Sequence, residues 1–364
     1  MSKKETAHEP LLRIVKRSSI SRWQIVGIYA AAIVLALLIS AGICTLFAKN
    51  KTILDYFASL INGTFGTERK RWILLQEMAL LLGTAAALVP AFKMKFWNLG
   101  ANGQILVGCL APVACMHYLG GQVPEALLMV LMVVSGIAAG AIWAVIPALF
   151  KAHFNSNETL FTLMMNYIAT GIVTICISIW VTGGSGILKP ISYGNFPDIG
   201  NRYLGTVILF VALAVLMFVY LRYSKQGYEI SVVGESGNTA RYIGINVKKV
   251  VIRTMLLSGA LAGLVGVMLA GAVKHTIATD TANNMGFTAI IAVWLAEFNP
   301  LIMILTCLFI AFITNGMAGV CKDFKFTNDS IANIVIAIIF FCVIACSFFI
   351  NYKIVFCHKE GSKQ

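Results

Sequence analysis

Three side-chain amides and two glycines occupy a seven-residue run at the start of an otherwise apolar stretch. The amides belong to Asn98, Asn102 and Gln104, and the glycines are Gly100 and Gly103. An unsatisfied polar group in hydrocarbon costs several kcal/mol, so a run of this kind requires protein or water around it. Two interpretations follow: a broken helix that lines a hydrated path for a polar solute, or amides that hydrogen-bond neighbouring helices.

Two further places offer polar or aromatic groups within apolar stretches. Asn166 and Tyr167 form a polar step, and either they face a path or Asn166 bonds a neighbouring helix. Trp294 can stack on a flat ring, although tryptophan is also common at membrane interfaces. We predict that a substrate path is formed by six residues: Asn98, Asn102, Gln104, Asn166, Tyr167 and Trp294.

Composition places these residues in a membrane. The chain has 364 residues, of which 59% are hydrophobic and 12% charged, about half the charged fraction of a soluble domain. Uncharged runs near the length of a bilayer-spanning helix recur along it. We predict an all-α polytopic membrane protein with about ten transmembrane helices, at residues 23–48, 72–92, 96–118, 126–150, 159–182, 203–221, 255–273, 285–296, 301–318 and 331–350.

The third and eighth of these spans are interrupted or short, and they lie in related halves of the chain. Paired interruptions of this kind point to a transport path near the middle of the membrane. Lys and Arg concentrate in the tails and certain loops, which predicts that both termini are cytoplasmic. The predicted organisation is a basic tail at 1–22, an anchor helix at 23–48, an external or interfacial segment at 49–71, a membrane core at 72–350 and a basic tail at 351–364. The predicted external loops include 183–202 and 274–284.

The net charge of +13 does not indicate nucleic acid, because the basic residues lie where membrane topology requires them. We expect membrane lipid around the spans and no nucleic-acid partner. The segment 222–253 carries six Lys or Arg between two uncharged spans and includes a candidate helix at 238–243. This pattern predicts a cytoplasmic loop on which a partner docks.

No chemical site of another kind emerges. Gly259, Gly263 and Gly266 form a small-residue stripe typical of helix packing. The nine cysteines contain no C-x-x-C pair and the five histidines are isolated, so no metal site is predicted. No catalytic motif and no P-loop is present, so we expect neither enzyme activity nor ATP hydrolysis by a P-loop in this chain.

Four motifs resemble one family in order and spacing. They are FWNLGANGQILVGCLA at 96–111, SNETLFTLMMNYIA at 156–169, GYEISVVGESGNTARYIGINVKKVVIRTMLLSGALAGLVGVM at 227–268 and GFTAIIAVWLAEFNPL at 286–301. The chain resembles permease subunits of ABC importers for simple sugars and nucleosides, which are branched-chain amino acid permease-like, and its long N-terminus is similar to the longer nucleoside-type permease. Asn102, Thr288 and Glu297 depart from the Glu, Asp and Arg that the family usually has.

The resemblance implies a mechanism and a set of partners. A second permease subunit completes the path, a cytoplasmic ABC ATPase binds ATP and Mg²⁺, and an extracytoplasmic substrate-binding lipoprotein delivers the solute. No cofactor is expected in this chain, and the location is a bacterial inner membrane. ATPase coupling is assigned to five residues of the cytoplasmic loop: Glu235, Asn238, Arg241, Tyr242 and Gly244.

The solute stays open at this point. A nucleoside is the first candidate, because amides and aromatic rings without a buried cation suit a neutral, flat or hydroxylated molecule. A riboflavin-like vitamin and a simple sugar are alternatives on the same scaffold. An ion-coupled secondary transporter is the alternative from another class, and it would usually place a carboxylate deep in a span.

Overall fold

The structure, a computed structural model, describes residues 12–16, 21–48, 51–181, 187–326 and 330–356. Most of the predicted tail 1–22, residues 49–50, residues 182–186, residues 327–329 and the end of the tail 351–364 lie outside this part of the chain. The elements in order are β1 (Leu12–Lys16), α1 (Arg22–Phe47), α2 (Ile53–Phe65), α3 (Glu68–Lys93), α4 (Ala101–Leu119), α5 (Glu125–Phe154), α6 (Glu158–Trp180), α7 (Leu204–Tyr223), α8 (Lys225–Glu235), α9 (Gly237–Tyr242), α10 (Val247–Met268), a π-helical turn (Leu269–Lys274), α11 (Met285–Leu295), α12 (Pro300–Asp323), α13 (Ser330–Asn351) and β2 (Tyr352–Phe356).

The helices confirm the predicted fold class. Within the described residues, seven helices are long and apolar enough to cross a membrane: α1, α3, α5, α6, α7, α10 with its π-helical turn, and α12. The predicted third, eighth and tenth spans correspond to α4, α11 and α13. Each predicted span is therefore a helix, and α11, with 11 residues, is the short one.

The chain divides into two compact units, one of residues 1–64 with 313–364 and the other of residues 65–312. In the larger unit α3 is the central helix, because every residue from 78 to 92 is buried. A helix that is apolar on all sides belongs in the interior of a protein. Helices α7, α10 and α11 pack around α3.

Glycines allow α4, α5 and α10 to approach one another closely. A Cβ atom at Gly263 of α10 would overlap the Gly136 carbonyl of α5, and one at Gly259 would overlap the Gly140 carbonyl. Gly266 lies against the backbone of α4, where an added Cβ would come within 2.5 Å of Cys109 N. The stripe predicted for helix packing thus faces two neighbouring helices at backbone contact.

Helix α10 begins at Val247, eight residues before the predicted span at 255. The Asn246 side chain accepts a hydrogen bond of 3.1 Å from the backbone N–H of Lys249 and caps the helix. Lys248, Lys249 and Arg253 lie in the first two turns of α10. A span predicted from hydropathy therefore begins only after these charged residues, although the helix itself begins before them. The predicted loop 222–253 consequently consists of the end of α7, α8, α9 and the start of α10.

The smaller unit contains a feature that the all-α prediction did not include. Strands β1 and β2 pair in antiparallel fashion, with Leu12 opposite Phe356 and Lys16 opposite Tyr352. In the same unit α1 packs on α13, and the buried Tyr56 hydroxyl of α2 lies 2.6 Å from Ser40 Oγ of α1. Helix α2 is therefore packed into this unit through its buried face.

Candidate functional site

The chain between α3 and α4 is not helical, and buried amides hold it in place. Asn98 Oδ1 accepts hydrogen bonds from the Gly100 N–H, at 3.0 Å, and from Gln104 Nε2, at 3.1 Å. Its Nδ2 lies 3.4 Å from Ser258 Oγ of α10. Both amide side chains are almost completely buried. Asn98 and Gln104 therefore stabilise the break before α4.

Helix α6 holds the same segment from the other side. Asn166 Oδ1 accepts a 2.8 Å hydrogen bond from the Gly103 N–H, and its Nδ2 donates to the Leu99 carbonyl, also at 2.8 Å. Thr162 Oγ1, one turn earlier on α6, accepts from the Leu99 N–H at 3.1 Å. These bonds satisfy backbone groups that the irregular segment would otherwise leave unpaired in the membrane. Asn166 thus has the helix-bonding role that the sequence allowed as one of two interpretations.

The first turns of α4 and α11 meet. Asn102 Oδ1, in the first turn of α4, accepts a 2.7 Å hydrogen bond from the backbone N–H of Gly286 at the start of α11. A Cβ atom at Gly286 would lie 2.8 Å from Asn102 N, so this approach requires glycine. Asn283 and Asn284 have φ angles of 42° and 53° and turn the chain into α11. The two interrupted helices of the predicted halves are thus joined at their N-termini.

The other end of α11 is fixed by aromatic stacking. The rings of Trp294 and Trp97 lie 5.5 Å apart at an interplanar angle of 23°, and the Trp294 ring also contacts Phe298. Glu297 and Phe298 both have positive φ angles, which end the helix at that point. Trp294 is therefore placed at the end of α11, away from its meeting with α4.

A cavity of about 250 Å³ opens where α4 and α11 meet. Three predicted path residues line it: Asn102, Asn166 and Tyr167. Asn98, Gln104 and Trp294 are not among its lining residues. The remaining lining residues, which the sequence analysis did not assign to a path, are Leu106, Leu163, Thr170, Thr279, Asp280, Ala282, Asn283, Asn284 and Phe287.

The sequence predicts an external loop at 274–284, and the second half of this segment forms one wall of the cavity. The loop prediction rested on polarity, and polarity is the same for a solvated loop and for a cavity wall. The position of Asn283 and Asn284 directly before the short predicted span is the one sequence signal that relates them to the cavity. Asp280 had no such signal.

A larger cavity, of about 770 Å³, lies between α5, α7 and α10 beneath residues 195–202. Its lining is mostly aliphatic and includes none of the predicted path residues. At its polar end Arg202 donates to the Val273 carbonyl at 3.1 Å and lies 3.4 Å from His275 Nε2. Burial and the neighbouring Arg202 lower the pKa of His275, while Asp198 acts in the opposite direction. We take the smaller cavity as the candidate solute site, because polar groups converge there from three elements.

The predicted coupling residues form a separate surface. Glu235, Asn238, Arg241, Tyr242 and Gly244 are all exposed, and the Tyr242 side chain is 92% exposed. Ser236 caps α9 through a 3.2 Å bond from the Thr239 N–H, and Ala240 is buried beneath the helix. Gly244 has a φ angle of +83°, which turns the chain back toward α10. An exposed tyrosine and isoleucine (Ile243) on a capped, fixed turn are typical of a docking surface.

Two contacts connect this surface to the membrane helices. Gly234 of α8 lies against the Lys93 carbonyl at the end of α3, where any side chain would overlap it. Arg253 Nη2 of α10 lies 3.0 Å from Glu229 Oε2 of α8, and both side chains are partly buried. A displacement of α8 and α9 would therefore act directly on α3 and α10.

A family model described as the permease component of the branched-chain amino acid transport system matches residues 73–344. The chain belongs to this family. The matched region begins within α3 and ends within α13, so α1 and α2 precede it.

Individual relatives agree with this assignment. The guanosine ABC transporter permease protein NupP of Bacillus subtilis is 27% identical, with 91% of this chain and 96% of the relative covered. The nucleoside permease NupB of Lactococcus lactis is 26% identical over 86% and 89%, and the glucose permease TsgB13 of Haloferax volcanii is 25% identical over 94% and 93%. Second permeases of the first two organisms, NupQ and NupC, also match.

Proposed function

We propose that this permease is one subunit of an ATP-driven importer of nucleosides in a bacterial plasma membrane. The observation that carries the proposal is the polar cavity at the meeting of α4 and α11. Membrane-embedded polar groups of this kind are tolerated where they line a hydrated cavity, and they mark solute paths. In this family member they come from both interrupted helices and from α6.

The lining chemistry supports a nucleoside. Amide, hydroxyl and carboxylate groups of Asn102, Tyr167, Thr279 and Asp280 offer donors and acceptors, and Phe287 adds an aromatic ring. A nucleoside has a flat base that can stack on an aromatic ring and hydroxyl groups that can form several hydrogen bonds, so it matches this lining. Two relatives named for guanosine or nucleoside transport each cover more than four fifths of this chain.

The partners follow from the same assignment. NupP and NupB each occur in an organism with a second matching permease, which supports a paired subunit here. We assign the surface formed by Glu235, Asn238, Arg241, Tyr242 and Gly244 to a cytoplasmic ABC ATPase, which would bind ATP and Mg²⁺. We assign delivery of the solute to an extracytoplasmic binding lipoprotein. The pairing of β1 with β2 supports termini on one side of the membrane, which we assign to the cytoplasm.

Coupling would run through α9. Closure of the ATPase subunits on ATP would displace α8 and α9, and the contacts of Gly234 with α3 and of Glu229 with α10 would pass that displacement into the membrane. Because α3 is central to the larger unit and packs on α11, its movement would change access to the cavity. The path would then alternate between the two sides of the membrane.

A simple sugar is the second candidate, because the glucose permease of Haloferax volcanii matches over almost the whole chain. Hydroxyl groups alone could use the same amides and carboxylate. An ion-coupled transporter would need a carboxylate near its solute path, and Asp280 lies on the cavity wall. The experiment below therefore also measures whether uptake depends on the proton gradient.

The deciding experiment is uptake of labelled guanosine, uridine, ribose and riboflavin by cells that express the whole importer. Tyr242→Asp is compared with Tyr228→Asp, a matched change at another exposed tyrosine, on α8. We expect guanosine and uridine uptake, reduced at least about tenfold by Tyr242→Asp with the protein still in the membrane, since an exposed anchor aromatic contributes about 2 kcal/mol or more to an interface. Uptake of ribose alone would favour the sugar. Uptake that survives Tyr242→Asp and collapses with the proton gradient would contradict the ABC mechanism.

A further inference from the structure

Asp280 is a carboxylate on the wall of the polar cavity, and it belongs to no ion pair among the residues that the structure describes. It lines the cavity together with Asn102, Asn166 and Tyr167. Neither the Lys151–Glu158 ion pair nor the Arg253–Glu229 ion pair includes Asp280. A carboxylate accepts hydrogen bonds at both oxygens and donates none. An unpaired one in a cavity therefore has acceptor capacity for a ligand.

The backbone around Asp280 is well fixed. Its carbonyl accepts a 2.8 Å hydrogen bond from the Asn283 N–H, and the next residue, Thr281, closes the turn by accepting at Oγ1 from the Ala278 N–H, also at 2.8 Å. Lys274 Nζ donates to the Thr281 carbonyl at 3.1 Å. A recognition group must be held in place by its surroundings, and this turn provides that support.

Two helix ends line the cavity together with Asp280, which is exposed. The N-terminus of a helix carries about half a positive charge, and the first turns of both α4 and α11 line the cavity. Two such ends together offset about one negative charge. With Asp280 ionised, the cavity is close to neutral, which favours an uncharged solute that brings hydrogen-bond donors.

We propose that Asp280 is a specificity-determining residue of the solute site, where its carboxylate accepts hydrogen bonds from two adjacent donors of an uncharged solute. This inference rests on the proposed function and extends it to the solute's own chemistry. Two parts of a nucleoside present such donors: the vicinal hydroxyls of ribose and the paired N–H groups of a guanine edge. A carboxylate can receive either pair with one hydrogen bond per oxygen.

The test compares wild-type importer with Asp280→Asn, which keeps the shape but removes the charge and one acceptor. Asp280→Glu keeps the carboxylate, and Asp198→Asn is a matched control at an acid that lines the other cavity. Uptake of guanosine, uridine, 2′,3′-dideoxyguanosine and ribose is measured at concentrations that saturate the binding lipoprotein, and membrane levels of each variant are quantified.

We expect Asp280→Asn to lower uptake about ten- to a hundredfold, the range for lost hydrogen bonds to a charged group. Asp280→Glu should retain part of the activity, and Asp198→Asn should match wild type. If the ribose hydroxyls are the donors, guanosine and uridine uptake fall together while dideoxyguanosine uptake does not change. If the guanine edge supplies them, guanosine and dideoxyguanosine uptake fall and uridine uptake persists.

The inference and the proposed function fail in different ways. Nucleoside uptake that Asp280→Asn leaves at the wild-type rate would overturn the role of Asp280 and keep the function. Uptake of ribose but not nucleosides, still lost in Asp280→Asn, would overturn the nucleoside assignment and keep Asp280 as the acceptor for hydroxyl groups. Uptake of none of the four solutes by the wild type would overturn both.

Discussion

Asn102 Oδ1 accepts a 2.7 Å hydrogen bond from the backbone N–H of Gly286, a residue 184 positions later in the chain. The bond is buried and joins the first turns of the two interrupted helices. The first N–H groups of a helix have no partner within the helix. The Asn102 side chain supplies the acceptor for one of these groups in α11. One side chain thus both satisfies a helix end and lines the candidate solute cavity.

Replacement of Asn102 by leucine should destabilise the protein by about 1–3 kcal/mol, because the buried Gly286 N–H would lose its acceptor. Asn102→Asp is the matched control, since it keeps an oxygen at the same place and adds a charge that a helix N-terminus favours. The measurement is thermal unfolding of the purified, detergent-solubilised protein. Equal midpoints for the Leu and Asp variants would show that the hydrogen bond does not matter for stability.

The contact between α5 and α10 gives a second prediction. Gly263→Ala should destabilise the protein by about 1–3 kcal/mol, the usual effect of overpacking, because the new methyl group would overlap the backbone carbonyl of Gly136. That carbonyl is part of a helix and cannot rotate away. Thermal unfolding again provides the measurement.

Gly171→Ala on α6 is the control for this prediction. An added Cβ at Gly171 meets nothing within 4 Å in the described structure, and alanine is the better helix former by about 1 kcal/mol. Its midpoint should stay the same or rise slightly. If Gly263→Ala were as stable as Gly171→Ala, the close approach of α5 and α10 would be incorrect.

The helices could be predicted from sequence because the length of an apolar run is a local property. Ten runs gave ten helices, including the short α11. The strand pair β1–β2 was missed because its partners lie at opposite ends of the chain, in the tails. The start of α10 was misplaced because charged residues continue a helix beyond the hydrocarbon without any change in backbone geometry.

The site could be predicted only in part, since residue type does not determine which way a side chain faces. Asn98 and Asn102 lie in one polar run, yet Asn98 is buried in an amide network while Asn102 reaches the cavity. Polarity assigns Asp280 to an external loop and carries no sign of the cavity that it lines. Its position depends on the return of the chain to Asn102 through Gly286, a contact that no local pattern contains.

The pH dependence of stability should carry a signature of His275. Burial and Arg202, which lies 3.4 Å from the ring, lower the pKa of His275 in the folded protein, and Asp198 opposes this shift. In the unfolded chain a histidine has a pKa of about 6.5. Between the two pKa values the unfolded chain binds more protons, so the free energy of unfolding rises with pH. The contribution is fully present above about pH 6.5 and is lost as the pH falls below that value.

His275→Gln isolates this effect, because glutamine is neutral at every pH and can still accept a hydrogen bond from Arg202. Unfolding midpoints measured from pH 5 to pH 8 should fall on acidification more steeply for wild type than for His275→Gln. Carboxylates also destabilise folded proteins in acid, but they are the same in both proteins and cancel in the comparison. Parallel curves for wild type and His275→Gln would mean that Arg202 and burial do not disfavour the charged imidazole.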